Sequence, residues 1–98
     1  MNNGLFEIAK SKCYLTGDIS ADEENRLNMI IGDAIFKVSH YIGVPSSFDF
    51  TQPGFARNLF ENYVWYAFND CEDDFIHNYM QDIAIAKEFY ELTGDEND

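Results

Sequence analysis

The chain has 98 residues, of which 18 are Asp or Glu and 6 are Lys or Arg, a net charge of −12. At that length roughly 60–65% of the unfolded surface is buried on folding, which allows one modest core and no separate cofactor domain. A chain so acidic lacks the Lys and Arg that displace counterions from a phosphate backbone, so neither nucleic acid nor an anionic membrane is an expected partner. The 46% hydrophobic and 16% aromatic content is too rich for a disordered acidic chain.

No run approaches the ~20 apolar residues of a membrane span. The opening MNNGLFEIAK lacks a basic segment followed by an apolar run, so no secretory signal is expected. Cys13 and Cys71 stand far apart and outside any CxxC, which predicts a pair of reduced thiols rather than a disulfide. The expectation is a soluble, intracellular protein.

The first element, Leu5 to about Tyr14, carries Leu5, Ile8/Ala9 and Lys12/Cys13 at helical spacing, with Gly17 as its expected C-terminal cap. The second has the strongest signal. Ser20 and Glu23 fit a capping box, and Asp22, Glu23 and Glu24 crowd the first turn, where the helix dipole favours negative charge. Leu27, Ile30/Ile31, Ala34/Ile35, Val38 and Tyr41/Ile42 then form one apolar stripe, ended by Gly43 and Pro45. This predicts a helix over Ala21 to Ile42.

Residues 44–53, VPSSFDFTQP, read as a loop in which Phe48 and Phe50 alternate with polar residues, as in a short extended stretch. Two phenylalanines on a loop tip are costly in water. They are expected to dock, either onto the domain's own core or into a neighbouring subunit.

A third helix begins at Gly54 or Phe55. Between 63 and 68 its apolar residues run right round the cylinder, so it must be covered on every side. In so small a chain, that points to another copy or a partner on one face. The helix breaks or kinks near Asn69-Asp70-Cys71, where Asp70 is the expected cap of a fourth helix that carries Phe75/Ile76, Tyr79/Met80, Ile83/Ala84, Ile85/Ala86, Phe89/Tyr90 and Leu92. Gly94 ends it, and the acidic tail over about 93–98 is expected to fray. No segment alternates as a strand does. The fold class is therefore all-α: one domain over 1–98, of four helices with the two middle ones long and a Pro-containing aromatic loop between them.

Candidate chemistry is sparse. His77 follows Asp73 and Asp74 at helical spacing, but a carboxylate-bridged metal pair needs that arrangement twice, and His40 has no carboxylate three or four residues away. Nothing local aligns either cysteine with a histidine, and no glycine-rich phosphate loop is present. No enzyme activity, metal or cofactor is expected. The acid is uneven: residues 70–98 hold ten carboxylates against Lys87, while residues 1–69 hold eight against five bases. One sign of charge concentrated this way repels nucleic acid and lets it pass without sticking.

From Ala56-Arg57 through Leu59-Phe60, Asn62, Val64, Tyr66 and Asn69, then an acidic turn, Phe75 and Asn78-Tyr79 to Ile83, the chain resembles the small head–tail connector, adaptor or head-completion proteins of tailed phages and prophages. Asp33-Ala34 and Tyr41-Ile42-Gly43 agree with the family's helix ending, so the likeness spans about residues 20–90. The resemblance implies a structural role without catalysis: a homo-oligomeric ring beneath the portal that extends the DNA channel and offers a surface to the tail or a stopper protein. It implies a location in the virion neck, and in the host cytoplasm during assembly. Phe48, Phe50, Arg57, Trp65 and Tyr66 are the expected subunit or partner contacts. Where family members often carry a basic residue, this chain has Trp65, so apolar burial would replace an ion pair there. The competing expectation is a small acidic phage-encoded inhibitor or DNA mimic that acts by binding a protein.

Overall fold

A computed structural model describes residues 3–94, and the acidic end over 95–98 lies outside the described residues. Four helices follow one another: α1 (Asn3–Lys12), α2 (Ala21–Ile42), α3 (Phe55–Phe68) and α4 (Asp73–Gly94). No strand occurs among the described residues. The two longest helices are the second and the fourth, 22 residues each, rather than the middle pair; α3 has 14.

The capping box of α2 forms as its sequence dictates. The Glu23 N–H donates to Ser20 Oγ at 3.1 Å, and the Ser20 N–H donates back to Glu23 Oε1 at 3.3 Å. Leu27, Ile31, Ala34, Val38 and Ile42 are the buried stripe. Three helices then end in the same way. The residue after the last turn takes a left-handed conformation, and the next N–H reaches back to the carbonyl five residues earlier. At α2 this residue is Gly43. At α1 it is Tyr14 (φ 61), not Gly17, with the Leu15 N–H on the Lys10 carbonyl at 2.9 Å. At α3 it is Asp70 (φ 59), with the Cys71 N–H on the Tyr66 carbonyl at 2.8 Å. Asp70 therefore closes α3 instead of capping α4.

Helix α3 packs against all three others, while α1 and α4 do not pack against each other. The chain itself covers Ala56, Leu59, Phe60, Tyr63, Val64 and Ala67, while Phe55, Trp65, Tyr66 and Phe68 on the same helix keep part of their surface in solvent. Helix α4 is not continuous: Tyr79 (φ −115, ψ 17) interrupts it, so its two halves run in different directions.

A polar bond joins the core to its solvent-facing edge. Tyr63, 2% exposed, donates its hydroxyl to Asp33 Oδ2 at 2.7 Å, and Lys37 lies 3.5 Å from the same oxygen. Burial, then the hydrogen bond and the charge of Asp33, push the Tyr63 phenol well above its ordinary 10.0. A group whose folded pKa is raised contributes fully below its unfolded pKa and loses that contribution as pH climbs.

Two tests follow from this packing. Tyr14→Gly should raise stability by about 1 kcal/mol, because the 83% exposed tyrosine gives up little packing and the left-handed strain disappears; thermal melts read the gain. Tyr63→Phe should cost about 1–2 kcal/mol at neutral pH. In the wild type, denaturant midpoints should fall as pH rises above 10.0, and the variant should fall less steeply.

Candidate interaction surface

Among the described residues, no three His, Cys, Asp or Glu side chains come together as a metal-holding group. Both cysteines are free. Burial pushes the Cys13 thiol up, against the smaller opposing effects of Arg26 and Lys12. Cys71 is pushed up by burial and then by the carboxylates of Asp74, Glu72 and Asp70. A thiol that holds its proton is a poor nucleophile. His40 and His77 are both exposed.

The five expected contact residues fall at three separate places. Phe48 and Phe50 sit at the start of α3. The loop that carries them is a run of turns, not an extended stretch: the Phe48 N–H donates to the Pro45 carbonyl, and Asp49 accepts from the Thr51 hydroxyl (2.6 Å), the Thr51 N–H (3.0 Å) and Gln52 (3.2 Å). The Thr51 hydroxyl, then its N–H and Gln52, hold the Asp49 carboxyl below its ordinary value. The turns bring the two rings to 5.2 Å, stack Phe50 on Phe60 at 5.6 Å and set Phe48 edge-on to Tyr90 at 5.2 Å. Phe50 is 1% exposed. Of the two docking sites open to this loop, the packing takes the domain's own core, and Phe50 has no surface left for a neighbour.

Arg57 is engaged within the chain. Its Nε donates to Glu61 Oε2 at 2.7 Å and a terminal nitrogen donates to the Thr51 carbonyl at 3.0 Å. It borders a shallow hollow against α1 with Ile8, Lys12 and Tyr14. Trp65 and Tyr66 lie near the other end of α3, roughly 15 Å along the axis from Phe55 at 1.5 Å per residue. Tyr66 touches Phe75 (5.9 Å) and Tyr79 (5.7 Å) and accepts from Asn78 at 3.0 Å. Trp65 stays half-exposed, with its ring 5.4 Å from that of Tyr66.

Larger apolar surfaces lie elsewhere. A groove of about 520 Å³ runs between the start of α3 and the second half of α4, lined by Phe48, Pro53, Phe55, Phe89 and Tyr90. Phe55 and Ile85, on its continuation, are 44% and 46% exposed. The Tyr90 hydroxyl on the groove floor accepts from the Ala56 N–H at 3.1 Å, and so caps a helix whose N-cap, Gly54, has no side chain to offer. A second apolar surface is on the outer face of α2, where Met29 and Phe36 are 76% and 69% exposed. Sequence reasoning passed over these residues because it looked for stripes that build a core. Met29 and Phe36 are seven apart on the side opposite Leu27, Ile31 and Val38, a pattern that does signal a second apolar face.

The placement of Phe50 makes its test one of stability. Phe50→Ala should destabilise the isolated protein by about 3–5 kcal/mol at every concentration. Denaturation curves at two dilutions would check this; a loss confined to concentrated protein would contradict the packing.

Set against models of known families, curated proteins and solved structures, the chain finds no match, so only its own residues and geometry speak to its role.

Proposed function

We propose that the chain is a structural component of a tailed-phage or prophage neck, one subunit of a ring between the portal and the tail. The observation that carries this reading is the ordered residue pattern from Ala56 to Ile83, which here forms a helical hairpin of α3 and the first half of α4 around Tyr63, Tyr66, Phe75 and Tyr79. Three features support it. The chemistry-bearing side chains are dispersed or engaged in packing. Apolar surface remains on the outside, at the groove of Phe55 and Ile85 and at the half-exposed Trp65. The carboxylates gather in the last third of the chain, where a DNA conduit profits from repulsion.

The reading of an acidic DNA mimic fits the exposed surface less well. A phosphate-like row needs charge uninterrupted by apolar groups. On α4 the exposed carboxylates of Asp73, Asp74, Asp82, Glu88 and Glu91 are interleaved with exposed Ile76, Met80, Ile85 and Leu92.

The test is reconstitution with the portal protein of the same genome, viewed by electron microscopy. The wild type should add a ring of density to the portal. Ile85→Asp, which alters an exposed position, should keep its helical circular dichroism and lose attachment. A genome without a portal gene, or a chain that never binds that portal, would refute the role.

A further inference from the structure

The groove between the start of α3 and the second half of α4 carries charge of one sign. Ile85, Phe89 and Leu92, 46%, 46% and 73% exposed, follow one another at spacings of four and three, so they form one stripe along α4. Phe55 meets that stripe from α3, its ring 5.2 Å from that of Phe89. Two carboxylates border it. Asp82 and Glu88 stand three residues before and after Ile85, on the same side of the helix, and both are exposed. Asp82 lines the groove itself, and among the described residues no cation pairs with it. Among the described residues that line the groove there is no Lys or Arg. Lys87 stands two residues from Ile85, roughly 200° round the helix and turned away. Arg57 is held by Glu61 and the Thr51 carbonyl, at the hollow against α1.

We infer that this groove takes a cationic amphipathic segment of another protein. Apolar side chains three and four residues apart fill the trough between Phe55 and Ile85, and a Lys or Arg beside them pairs with Asp82 and Glu88. Charge selects this occupant. A second copy brings a further net charge of −12 against an acidic rim, and a phosphate backbone or an anionic membrane is repelled in the same way. A neutral or acidic amphipathic segment would fill the trough but cover Asp82 without a counter-charge, a cost that discriminates against it. The inference deepens the neck reading and rests on it only for the partner's name, a portal or tail protein. The chemistry of the segment follows from the groove alone.

The test is titration of the full chain with a helical peptide of about 15 residues that carries leucines three and four apart between lysines, read by calorimetry and amide chemical shifts. Binding at ~10–100 µM is expected, with shifts at Phe55, Ile85 and Phe89. Replacing the peptide's lysines by glutamates, or its leucines by serines, should each weaken binding about tenfold or more. Ile85→Ser should do the same while the helical spectrum stays unchanged. Asp82→Asn should weaken the lysine peptide about fivefold and flatten its salt dependence. Glu24→Gln, which removes the same charge in the first turn of α2, should leave binding as it was. A lysine peptide that does not bind at ~1 mM overturns the inference. So do shifts confined to other faces, equal binding of the glutamate peptide, a loss in Glu24→Gln as large as in Asp82→Asn, or self-association that shifts Phe55 and Ile85. A portal that fails to bind while the lysine peptide binds refutes the ring and supports the groove's chemistry. A portal that binds while the peptide does not supports the ring and overturns this inference.

Discussion

A helix with apolar side chains all round its cylinder has to be enclosed, and α3 finds most of that enclosure inside one short chain, with Phe55 and Trp65 left partly outside it. The other three helices each pack on it, and α1 and α4, which do not pack together, are joined through it and through α2. The arrangement explains the aromatic content. A 14-residue post must fill three different interfaces at once, and Phe60, Tyr63 and Tyr66 reach far enough to do so. It also explains why so much apolar surface stays outside. With α3 at the centre, α2 and α4 each turn one face inward and leave the opposite one to solvent.

Polar bonds at the edges of this core orient the helices more than they hold them. Arg26, on α2, donates to the Phe68 carbonyl at 2.7 Å, lies over the Phe68 ring at 4.7 Å and reaches Asp70 at 3.3 Å. It thereby satisfies a carbonyl left open at the end of α3 and pins that end to the start of α2. Tyr63 and Asp33 tie the same two helices one layer deeper. The Arg26–Asp70 pair is largely solvated and adds little energy of its own. Its value is in register, since both links fail if α3 slides by a turn.

Where local chemistry alone decides the structure, the sequence was legible. The Ser20–Glu23 box, the stripe from Leu27 to Ile42 and the stop at Gly43 are all readable within a few residues, and they form as read. The errors came where the deciding partner is distant. Gly17 looked like the cap of α1 because glycine is the usual left-handed residue, yet the chain turns three residues earlier, on Tyr14. Asp70 looked like the start of α4, but it ends α3 under the hand of Arg26, 44 positions away. The apolar girdle of α3 could not say whether its cover came from inside or outside the chain. The candidate surface was less legible still. Of the residues singled out, Phe50 is core and Arg57 is tied to Glu61 and Thr51, while Met29, Phe36 and Ile85 stand out only once the inward face of each helix is known.

The hydrogen bond from the Ala56 N–H to the Tyr90 hydroxyl joins the first turn of α3 to the far half of α4, beyond the break at Tyr79. As the second residue of its helix, Ala56 has no carbonyl of its own helix to bond, so that tyrosine is what shields the amide from water. Amide hydrogen exchange at this one position is therefore a gauge of how often the end of α4 swings away. The rest of α3 can stay protected while it does so, because α1 and α2 still cover it. The break at Tyr79 marks where such a partial opening would stop, making the second half of α4 a separate cooperative unit hinged on the remainder.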